Sequence, residues 1–340
     1  MTRTFLALVS AAVLAGSLLS TAAATGRSPA RSVGVFYYPW YGTPSLDGAW
    51  QHWDQAGRTP PLDLGTTFFP ARGAYSSSDA EVVRAQMREI AATGIDTVVV
   101  SWWGRGSVED ARLPLVRDEA GRAGLDVAVH LEPYPGRLPA TVAADVSHLR
   151  AFGVRDFYVY DSALVDDADW AAALPRIRGV RFFANTALVG KALAGRFHGI
   201  YTYDVLLHAG ASFRRICKQA RAARLACAPS VGPGFDARRA TTIATTRDRR
   251  NGAAYDTSWR AAVAASPDVV TITSYNEWHE GTQIEPARAV GGYASYDGAY
   301  GREGVTAETA YLDRTRAWID HLHGRASAPV PIASPLAVRR

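Results

Sequence analysis

Eight short apolar segments, separated by stretches with helical periodicity, limit the possible folds of this 340-residue chain more than any other feature. The first segment is Val33–Tyr38 and the last is Val269–Ser274. Neighbouring parallel strands need crossover connections, so strands that alternate with helices predict a parallel sheet. Eight such units in one chain predict a single α/β domain, a (β/α)8 TIM barrel with long βα loops. A doubly wound open sheet is the alternative, but no glycine-rich phosphate loop follows the first strand.

The boundaries of the predicted elements follow from apolar runs, caps and glycines. In the first helix Ser78 is the expected N-cap, and Glu81 three residues later completes a capping box. The segment before this helix, to about Tyr75, is rich in tryptophan, and a loop of this length in a compact domain is usually functional. We predict strands at residues 33–38, 95–100, 125–131, 154–160, 180–184, 199–203, 225–229 and 269–274, and helices at residues 77–93, 107–123, 139–152, 167–175, 187–195, 210–223, 255–265 and 306–323.

The two ends of the chain depart from this pattern. Arg3 precedes an apolar run rich in small residues, and Ala22–Ala24 offers a small-residue cleavage site, so residues 1–24 are predicted to be a secretory signal peptide. The apolar run is too short for a comfortable membrane span, which predicts a secreted, extracellular protein without a membrane anchor. Residues 25–324 then form the barrel domain, and residues 325–340, which contain three prolines, are expected to be a disordered tail.

Composition narrows the choice of partner and compartment. The formal net charge is +5, and the arginines are scattered among acids without a dense basic run, so nucleic acid is not an expected partner. An exported chain meets an oxidising compartment, which favours a disulfide between Cys217 and Cys227. Two separate buried thiols are the alternative. The expected oligomeric state is a monomer.

Polar and aromatic side chains gather where the predicted strands end. In a parallel barrel these ends lie on one face, where active sites are built, so residues far apart in sequence can converge there. Aromatic rings offer flat apolar surfaces to sugar C–H groups, and carboxylate, amide and imidazole groups hydrogen-bond to hydroxyls. We therefore expect a carbohydrate site. The residues concerned are Tyr38, Tyr41, Trp102, Trp103, His130, Glu132, Tyr134, Tyr160, Asp161, Asn185, Tyr203, Asp204, Asn276, Glu277 and Glu280.

Two carboxylates, Glu277 and Glu280, follow the last predicted strand three positions apart. In extended chain their Cα atoms would lie ~10 Å apart, whereas a turn, which Gly281 permits, would bring them to ~5–6 Å. Two carboxyl groups with different pKa values can do acid–base chemistry on a glycosidic bond. The alternative is a pair of exposed loop acids, or one acid paired with an arginine. His279 is either a base that faces a ligand or an ordinary histidine with satisfied hydrogen bonds, and Glu285 is expected to be structural.

The chain resembles the glycoside hydrolase family 99 endo-α-mannosidases in eight blocks, which occur in family order over about residues 33–323. No single block would carry the resemblance, but the set is specific. The block that contains the two acids is Ser274–Ala287, SYNEWHEGTQIEPA. The others are Phe36–Gly42 (FYYPWYG), Ser101–Gly104 (SWWG), His130–Arg137 (HLEPYPGR), Tyr158–Ser162 (YVYDS), Gly199–Asp204 (GIYTYD), Pro229–Gly234 (PSVGPG) and Thr246–Gly252 (TRDRRNG).

The resemblance implies a (β/α)8 barrel that cleaves α-1,2-mannosidic bonds in endo fashion, with retention and without metal or cofactor. In the family's proposed mechanism, one Glu deprotonates the 2-hydroxyl of the sugar whose bond is cleaved, and that oxygen attacks C1 to give a 1,2-anhydro sugar. The other Glu protonates the leaving oxygen and then activates water. Carried over by motif, Glu277 is the base and Glu280 is the general acid/base.

The resemblance also suggests a substrate and the residues that bind it. An exported enzyme meets external polysaccharide, so α-mannan or a related mannoside is the expected substrate and partner. Consecutive residues on a strand face opposite sides, so only one of Trp102 and Trp103 is expected to face the cleft, and Trp103 is nearer the polar loop. The expected substrate-binding residues are Tyr38, Tyr41, His52, Trp102, Trp103, His130, Glu132, Tyr134, Tyr203 and Asn276.

Three other interpretations stay open. The first is a carbohydrate-binding barrel that has lost catalysis, against which the intact Glu277 and Glu280 pair argues. The second is a barrel hydrolase of different linkage preference, such as an α-glucanase or an exo-mannosidase. The third is a metal site that includes His52, His130 and Glu132. His130 and Glu132 face one way on a strand, but no clear third ligand is tied to them.

Overall fold

A closed barrel of eight parallel strands forms the centre of residues 32–330, the part of the chain that this computed structural model describes. Each strand pairs with the next, and the last pairs back with the first, with Ser32 opposite Val269 and Val35 opposite Ile272. The predicted parallel barrel is therefore confirmed, and the open sheet is wrong. The strands are β1 (Ser32–Tyr37), β2 (Thr97–Trp102), β3 (Asp126–Leu131), β4 (Asp156–Val159), β5 (Arg181–Asn185), β6 (Gly199–Thr202), β7 (Ala226–Val231) and β8 (Val269–Ile272).

Helices alternate with these strands, as the sequence predicts. None of the helices within residues 32–330 combines the length and the hydrophobicity needed to cross a membrane. The predicted signal peptide lies outside the described residues, as do residues 331–340 of the predicted tail. The helices of six or more residues in this part of the chain are α1 (Ala80–Ala92), α2 (Val108–Arg122), α3 (Pro139–Arg150), α4 (Asp167–Ala173), α5 (Val189–Ala194), α6 (Phe213–Ala222), α7 (Ala253–Ala264) and α8 (Ala310–Leu322).

The start of α1 differs from its prediction. Asp79 is the N-cap, and its carboxylate accepts a hydrogen bond of 2.9 Å from the backbone N–H of Glu81. The hydroxyl of Ser78 instead donates to Asp47 at 2.6 Å and accepts from Nε of Arg112 at 2.9 Å. The prediction of Ser78 as the cap is wrong because the neighbouring carboxylate satisfies the free N–H and a long-range network occupies the serine.

Alternation along the strands separates two apolar layers. Val35 and Tyr37 on β1 belong to the cluster between the barrel and its helices, whereas Phe36 and Tyr38 belong to the cluster inside the barrel. The interior is strongly aromatic, and the ring centroid of Phe36 lies 5.0 Å from that of Tyr203 in an edge-to-face contact. These packed side chains fill the barrel below the carboxyl ends of the strands.

A disulfide joins Cys217 on α6 to Cys227 on β7, the strand that follows this helix. Both residues are buried. The bridge favoured by the sequence is thus present, and the two separate thiols are excluded. A bridge over ten residues stabilises the fold by about 2–3 kcal/mol in the chain-entropy model.

The loops after β1 and β8 meet over the carboxyl ends of the strands. They form a two-stranded antiparallel sheet in which Pro70 pairs with Ala287 and Phe69 pairs with Arg288. The tryptophan-rich loop after β1 is therefore tied to the segment that carries Glu277 and Glu280.

Candidate active site

A cleft of about 120 Å³ lies at the carboxyl ends of the strands. The segments that end or follow β1, β2, β3, β4, β6 and β8 each contribute to it, so the convergence inferred from the sequence occurs. Seven of the nine lining residues are predicted site residues, and both acids, Glu277 and Glu280, are among them. The lining consists of Tyr38, Trp40, Trp103, His130, Glu132, Tyr160, Tyr203, Glu277 and Glu280.

The segment after β8 bends sharply and carries both acids. The hydroxyl of Ser274 accepts a hydrogen bond of 2.8 Å from the backbone N–H of Glu277. The carbonyl of Glu280 accepts one of 2.7 Å from the N–H of Asp236. Gly281 has a φ of +62°, and a Cβ there would lie 3.0 Å from the carbonyl oxygen of Asp236, so this position favours glycine. The bend that the sequence permits at Gly281 is therefore present.

Glu277 is 3% exposed and is held by His279. Its Oε1 accepts a hydrogen bond of 3.1 Å from the backbone N–H of His279 and lies 3.4 Å from Nδ1 of the same residue. Burial raises the pKa of the Glu277 carboxyl, and the hydrogen bonds and charge of His279 oppose this rise. Glu277 thus has a partner that favours its ionised form.

Glu280 has a different environment. Among residues 32–330 no group hydrogen-bonds to its carboxyl oxygens. Burial raises the pKa of Glu280 well above its usual value, and the negative charges of Glu277, Asp204 and Glu132 raise it further. The neighbouring acids therefore differ, since Glu280 keeps its proton to a higher pH than Glu277. This division is what a base and a general acid require.

Two tyrosines lie beside this pair. The hydroxyls of Tyr38 and Tyr203 hydrogen-bond to each other inside the barrel. Burial raises the pKa of both phenols well above the usual value, and the charges of Glu277 and Glu280 act in the same direction. Both hydroxyls are therefore neutral. One of them donates to the other, which leaves a hydrogen that can be donated to a bound sugar.

Glu132 and His130 occupy the opposite wall. Oε1 of Glu132 accepts a hydrogen bond of 2.8 Å from the hydroxyl of Ser101 and lies 2.9 Å from Nδ1 of His130. Nε2 of His130 contacts the hydroxyl of Tyr201 at 2.9 Å, and its ring stacks on that of Tyr203 at 5.2 Å. These contacts fix the orientation of the Glu132 carboxyl in the cleft. Within residues 32–330 no three His, Cys, Asp or Glu side chains are arranged to hold a metal ion.

Of the two consecutive tryptophans, Trp103 lines the cleft and Trp102 does not. Trp103 is 37% exposed, whereas Trp102 is fully buried and donates from Nε1 to Asp110 at 2.8 Å. Tyr134 packs edge-to-face on Trp102, and its hydroxyl donates to Asp145. Trp102 and Tyr134, which the sequence placed among the substrate-binding residues, thus lie outside the lining and support the strand end from behind.

Three further expected site residues also lie outside the lining. The hydroxyl of Tyr41 donates to the carbonyl of Asn276 at 3.1 Å. The amide of Asn276 bonds to both the N–H and the carbonyl of Tyr38, at 2.7 Å and 3.0 Å, and so joins the ends of β1 and β8. The ring of His52 stacks on Trp40 at 4.5 Å, and its carbonyl contacts His279. These residues position the cleft rather than line it.

Trp40 and Tyr160 line the cleft but were not among the expected binding residues. Tyr160 directly follows β4, and this position at a strand end is the sequence signal that indicates a residue of the cleft. Trp40 lies within the block Phe36–Gly42, two residues after Tyr38. In extended chain this spacing places both side chains on the same side, which is the sequence signal for Trp40.

Glu285 is buried on the other side of the same segment. It accepts hydrogen bonds from Tyr75 at 2.8 Å, Gln86 at 2.7 Å and Trp278 at 2.8 Å. Burial raises the pKa of Glu285 to about 7, while the charge of Arg72 and these hydrogen bonds act in the opposite direction. The carboxyl joins this segment to α1 and does not line the cleft, in agreement with the structural role expected for it.

A barrel whose carboxyl-end face holds an aromatic cleft and two carboxyl groups of unequal acidity has the features of a glycoside hydrolase. The sequence model of Glycosyl hydrolase family 99 matches residues 30–324. The chain belongs to this family of endo-α-mannosidase-like glycoside hydrolases, and the resemblance seen in its sequence blocks is confirmed.

Individual relatives agree with this assignment. A glycoprotein endo-alpha-1,2-mannosidase-like protein of Danio rerio is 33% identical, with 84% of this chain and 77% of the relative covered. A glycoprotein endo-alpha-1,2-mannosidase of Xenopus laevis is 32% identical, with 74% and 69% covered. The structure of the GH99 endo-alpha-mannosidase from Bacteroides thetaiotaomicron matches with a TM-score of 0.78 at 31% identity, covering 88% of this chain and 99% of that one.

Proposed function

We propose that this family member is a secreted, retaining endo-α-1,2-mannosidase that acts on mannan or mannose-rich glycans. The observation that carries the proposal is that Glu277 and Glu280 lie in one aromatic cleft but differ in their pKa shifts, because His279 opposes the rise only at Glu277. The relatives from Danio rerio and Xenopus laevis are named for the same linkage. A cleft on the open face of the barrel suits a chain that is cut internally.

The reaction divides into two balanced steps. In the first, Glu277 takes the proton of the 2-hydroxyl, the released electron pair forms the O2–C1 bond, and the bond from C1 to the leaving oxygen breaks. Glu280 gives its proton to that leaving oxygen. In the second, the ionised Glu280 takes a proton from water, the water oxygen attacks C1, and O2 leaves C1 and recovers its proton from Glu277. Two inversions at C1 give overall retention.

The other lining residues bind and orient the sugar in this proposal. The neutral hydroxyls of Tyr38 and Tyr203 supply a donor beside both acids. Glu132 accepts from sugar hydroxyls, and the exposed ring of Trp103 offers a flat apolar surface to the sugar C–H groups. With these contacts in place, neither acid has to bond to C1.

Export is the remaining part of the proposal. The signal peptide predicted for residues 1–24 supports it, and so does the disulfide between Cys217 and Cys227, since disulfides persist in oxidising compartments. A chain exported in this way meets mannose polymers outside the cell.

Digestion of defined mannosides that contain internal α-1,2 bonds tests the function. We expect oligosaccharide fragments whose new reducing end has the α configuration, as seen by mass spectrometry and by NMR immediately after mixing. Release of monosaccharide alone would indicate an exo-mannosidase, and binding without fragments would indicate an inactive carbohydrate-binding barrel. The same substrate with a 2-deoxy sugar at the cleaved bond should not turn over, and its cleavage at normal speed would contradict participation of the 2-hydroxyl.

A further inference from the structure

His279 is engaged through both ring nitrogens. Nε2 lies 2.8 Å from the carbonyl oxygen of His52, and because a carbonyl oxygen can only accept, Nε2 carries a hydrogen. Nδ1 lies 3.4 Å from Oε1 of Glu277. Since Nε2 is a donor in every protonation state of this arrangement, the hydrogen that varies is the one between Nδ1 and Oε1.

The loop after β1 fixes this imidazole. His52 has a φ of +64°, in the left-handed region that non-glycine residues seldom adopt. The rings of Trp40 and Tyr41 flank His279, each with a centroid distance of 5.7 Å. The imidazole therefore cannot rotate away from Glu277 without losing the bond to the His52 carbonyl.

We propose that His279 is the positioning residue that makes Glu277, rather than Glu280, the base of the pair. Its Nδ1 shares one proton with Oε1 of Glu277, and this proton resides on Nδ1 when Glu277 acts as the base. Both contacts from His279 fall on Oε1, and within residues 32–330 no group hydrogen-bonds to Oε2, so that oxygen is left for the substrate. The inference rests on the proposed function, in which a base acts on a sugar 2-hydroxyl.

The other groups around His279 do not compete for this proton. Burial lowers the pKa of His52 to about 3, and the charges of His279 and Arg112 lower it further, so this neighbour is neutral. Burial raises the pKa of Tyr41 well above its usual value, so its hydroxyl stays neutral as well. Trp40 does not titrate. Arg112 on α2 makes its hydrogen bonds elsewhere, to the carbonyl of Pro39 and to the Asp47 carboxylate among others. Glu277 is therefore the group in contact with the ring that can exchange a proton with it.

The contrast with Glu280 shows what the contact does. Burial raises the pKa of both acids, and the charge of Glu277 raises the pKa of Glu280 further. Only Glu277 has an imidazole that can offset burial, so the first of the pair to ionise is the one beside His279. Without His279 the two carboxyls would differ much less.

The variant His279→Gln tests the proposal because glutamine can donate to the His52 carbonyl but has no second nitrogen for the shared proton. We expect the acid limb of the kcat/KM profile on an α-1,2-mannoside to move up by about one pH unit, since Glu277 then ionises later. At neutral pH kcat/KM should fall about 10- to 100-fold, mainly through kcat. A purely structural histidine would lower the rate and leave the acid limb in place, and that result overturns the proposal.

His148→Gln is the matched control. It removes another histidine–carboxylate contact, from Nε2 of His148 to Oδ1 of Asp110 at 2.8 Å, which lies outside the cleft. We expect its profile to keep the acid limb of the wild type. An equal shift in His148→Gln and His279→Gln would overturn the proposal, because the shift would then report a general loss of packing.

NMR of the wild type decides the question without substrate or variant. The carboxyl carbon of Glu277 and the ring nitrogens of His279 should titrate with a common midpoint, and Nε2 should stay hydrogen-bearing throughout. The eight histidines of the chain keep the nitrogen spectrum simple. Independent midpoints, or a hydrogen on Nδ1 with none on Nε2, overturn the proposal. If the wild type cleaves no α-mannoside, the proposed function fails, and this titration still decides the role of His279.

Discussion

Glu280, which is half-buried, and Glu285, which is fully buried, are carboxyl groups on one segment that face opposite sides of it. Glu280 lines the cleft, and its carboxyl receives no hydrogen bond from residues 32–330, whereas the carboxyl of Glu285 accepts three from side chains and contacts Arg72. Burial raises the pKa of both, and only Glu285 has donors that limit the rise. Burial alone therefore does not identify a catalytic acid. The distinguishing features are a missing partner and an opening to the substrate.

The largest expected difference between the two acids is in catalysis. Glu280→Gln removes the proton that the proposed mechanism gives to the leaving oxygen, so kcat on an α-1,2-mannoside should fall by about 1,000-fold or more. Glu285→Gln keeps the volume and most of the hydrogen bonds of a side chain outside the cleft, and kcat should stay within about ten-fold of the wild type.

Steady-state kinetics on both variants, with circular dichroism to confirm folding, check this contrast. Glu280→Gln should be at least as stable as the wild type, because it removes a half-buried carboxyl that has no hydrogen-bond partner among residues 32–330. Similar losses of kcat in the two variants would show that the segment acts as one unit and that the contrast between its two sides is wrong.

The second expected difference concerns stability, because the ionisation of Glu285 should make the free energy of unfolding depend on pH. Its pKa rises from an ordinary value of 4.5 to about 7 in the folded protein. The contribution to stability is therefore full below pH 4.5 and is lost as the pH rises through about 7. Between pH 5.5 and pH 8 this loss amounts to about 2 kcal/mol.

Urea unfolding of the wild type and of Glu285→Gln at these two pH values measures how much of the loss of unfolding free energy comes from Glu285. The decline with pH should be smaller in Glu285→Gln, and the decline that remains belongs to groups such as Glu277 and Glu280, whose pKa values are also raised. An equal decline in both proteins would mean that the three donors and Arg72 hold Glu285 ionised over the whole range.

The fold and the location of the site could be predicted because they depend on patterns that are local in the sequence. Apolar runs separated by helical periodicity gave the strands to within a few residues, and parallel connection placed their ends on one face. The pair Glu277 and Glu280 follows β8 directly, so the position of that strand was enough to place both acids.

The direction of individual side chains was harder to predict, because it depends on contacts between distant loops. Tyr41 and Asn276 have the same residue types as sugar-binding residues, yet their polar atoms bond to the protein itself. His52 became a neighbour of His279 only through the path of the long loop after β1. The spacing of residues within one segment does not predict such contacts between loops. It also does not predict that Asp79, rather than Ser78, caps α1.

Trp102 and Trp103 offer the same comparison within one residue type, because Trp103 lines the cleft and Trp102 packs behind it. The changes expected in KM and in the free energy of unfolding are the smallest of those predicted. Trp103→Phe shortens an exposed surface in the cleft and should raise KM about three-fold with little change in stability. Trp102→Phe removes the hydrogen bond to Asp110 from a fully buried position, so it should lower the free energy of unfolding by about 1–2 kcal/mol with KM almost unchanged. Kinetics and urea unfolding on both variants separate these outcomes. A larger change in KM for Trp102→Phe than for Trp103→Phe would mean that the substrate reaches behind the strand end, where the structure has only packed side chains.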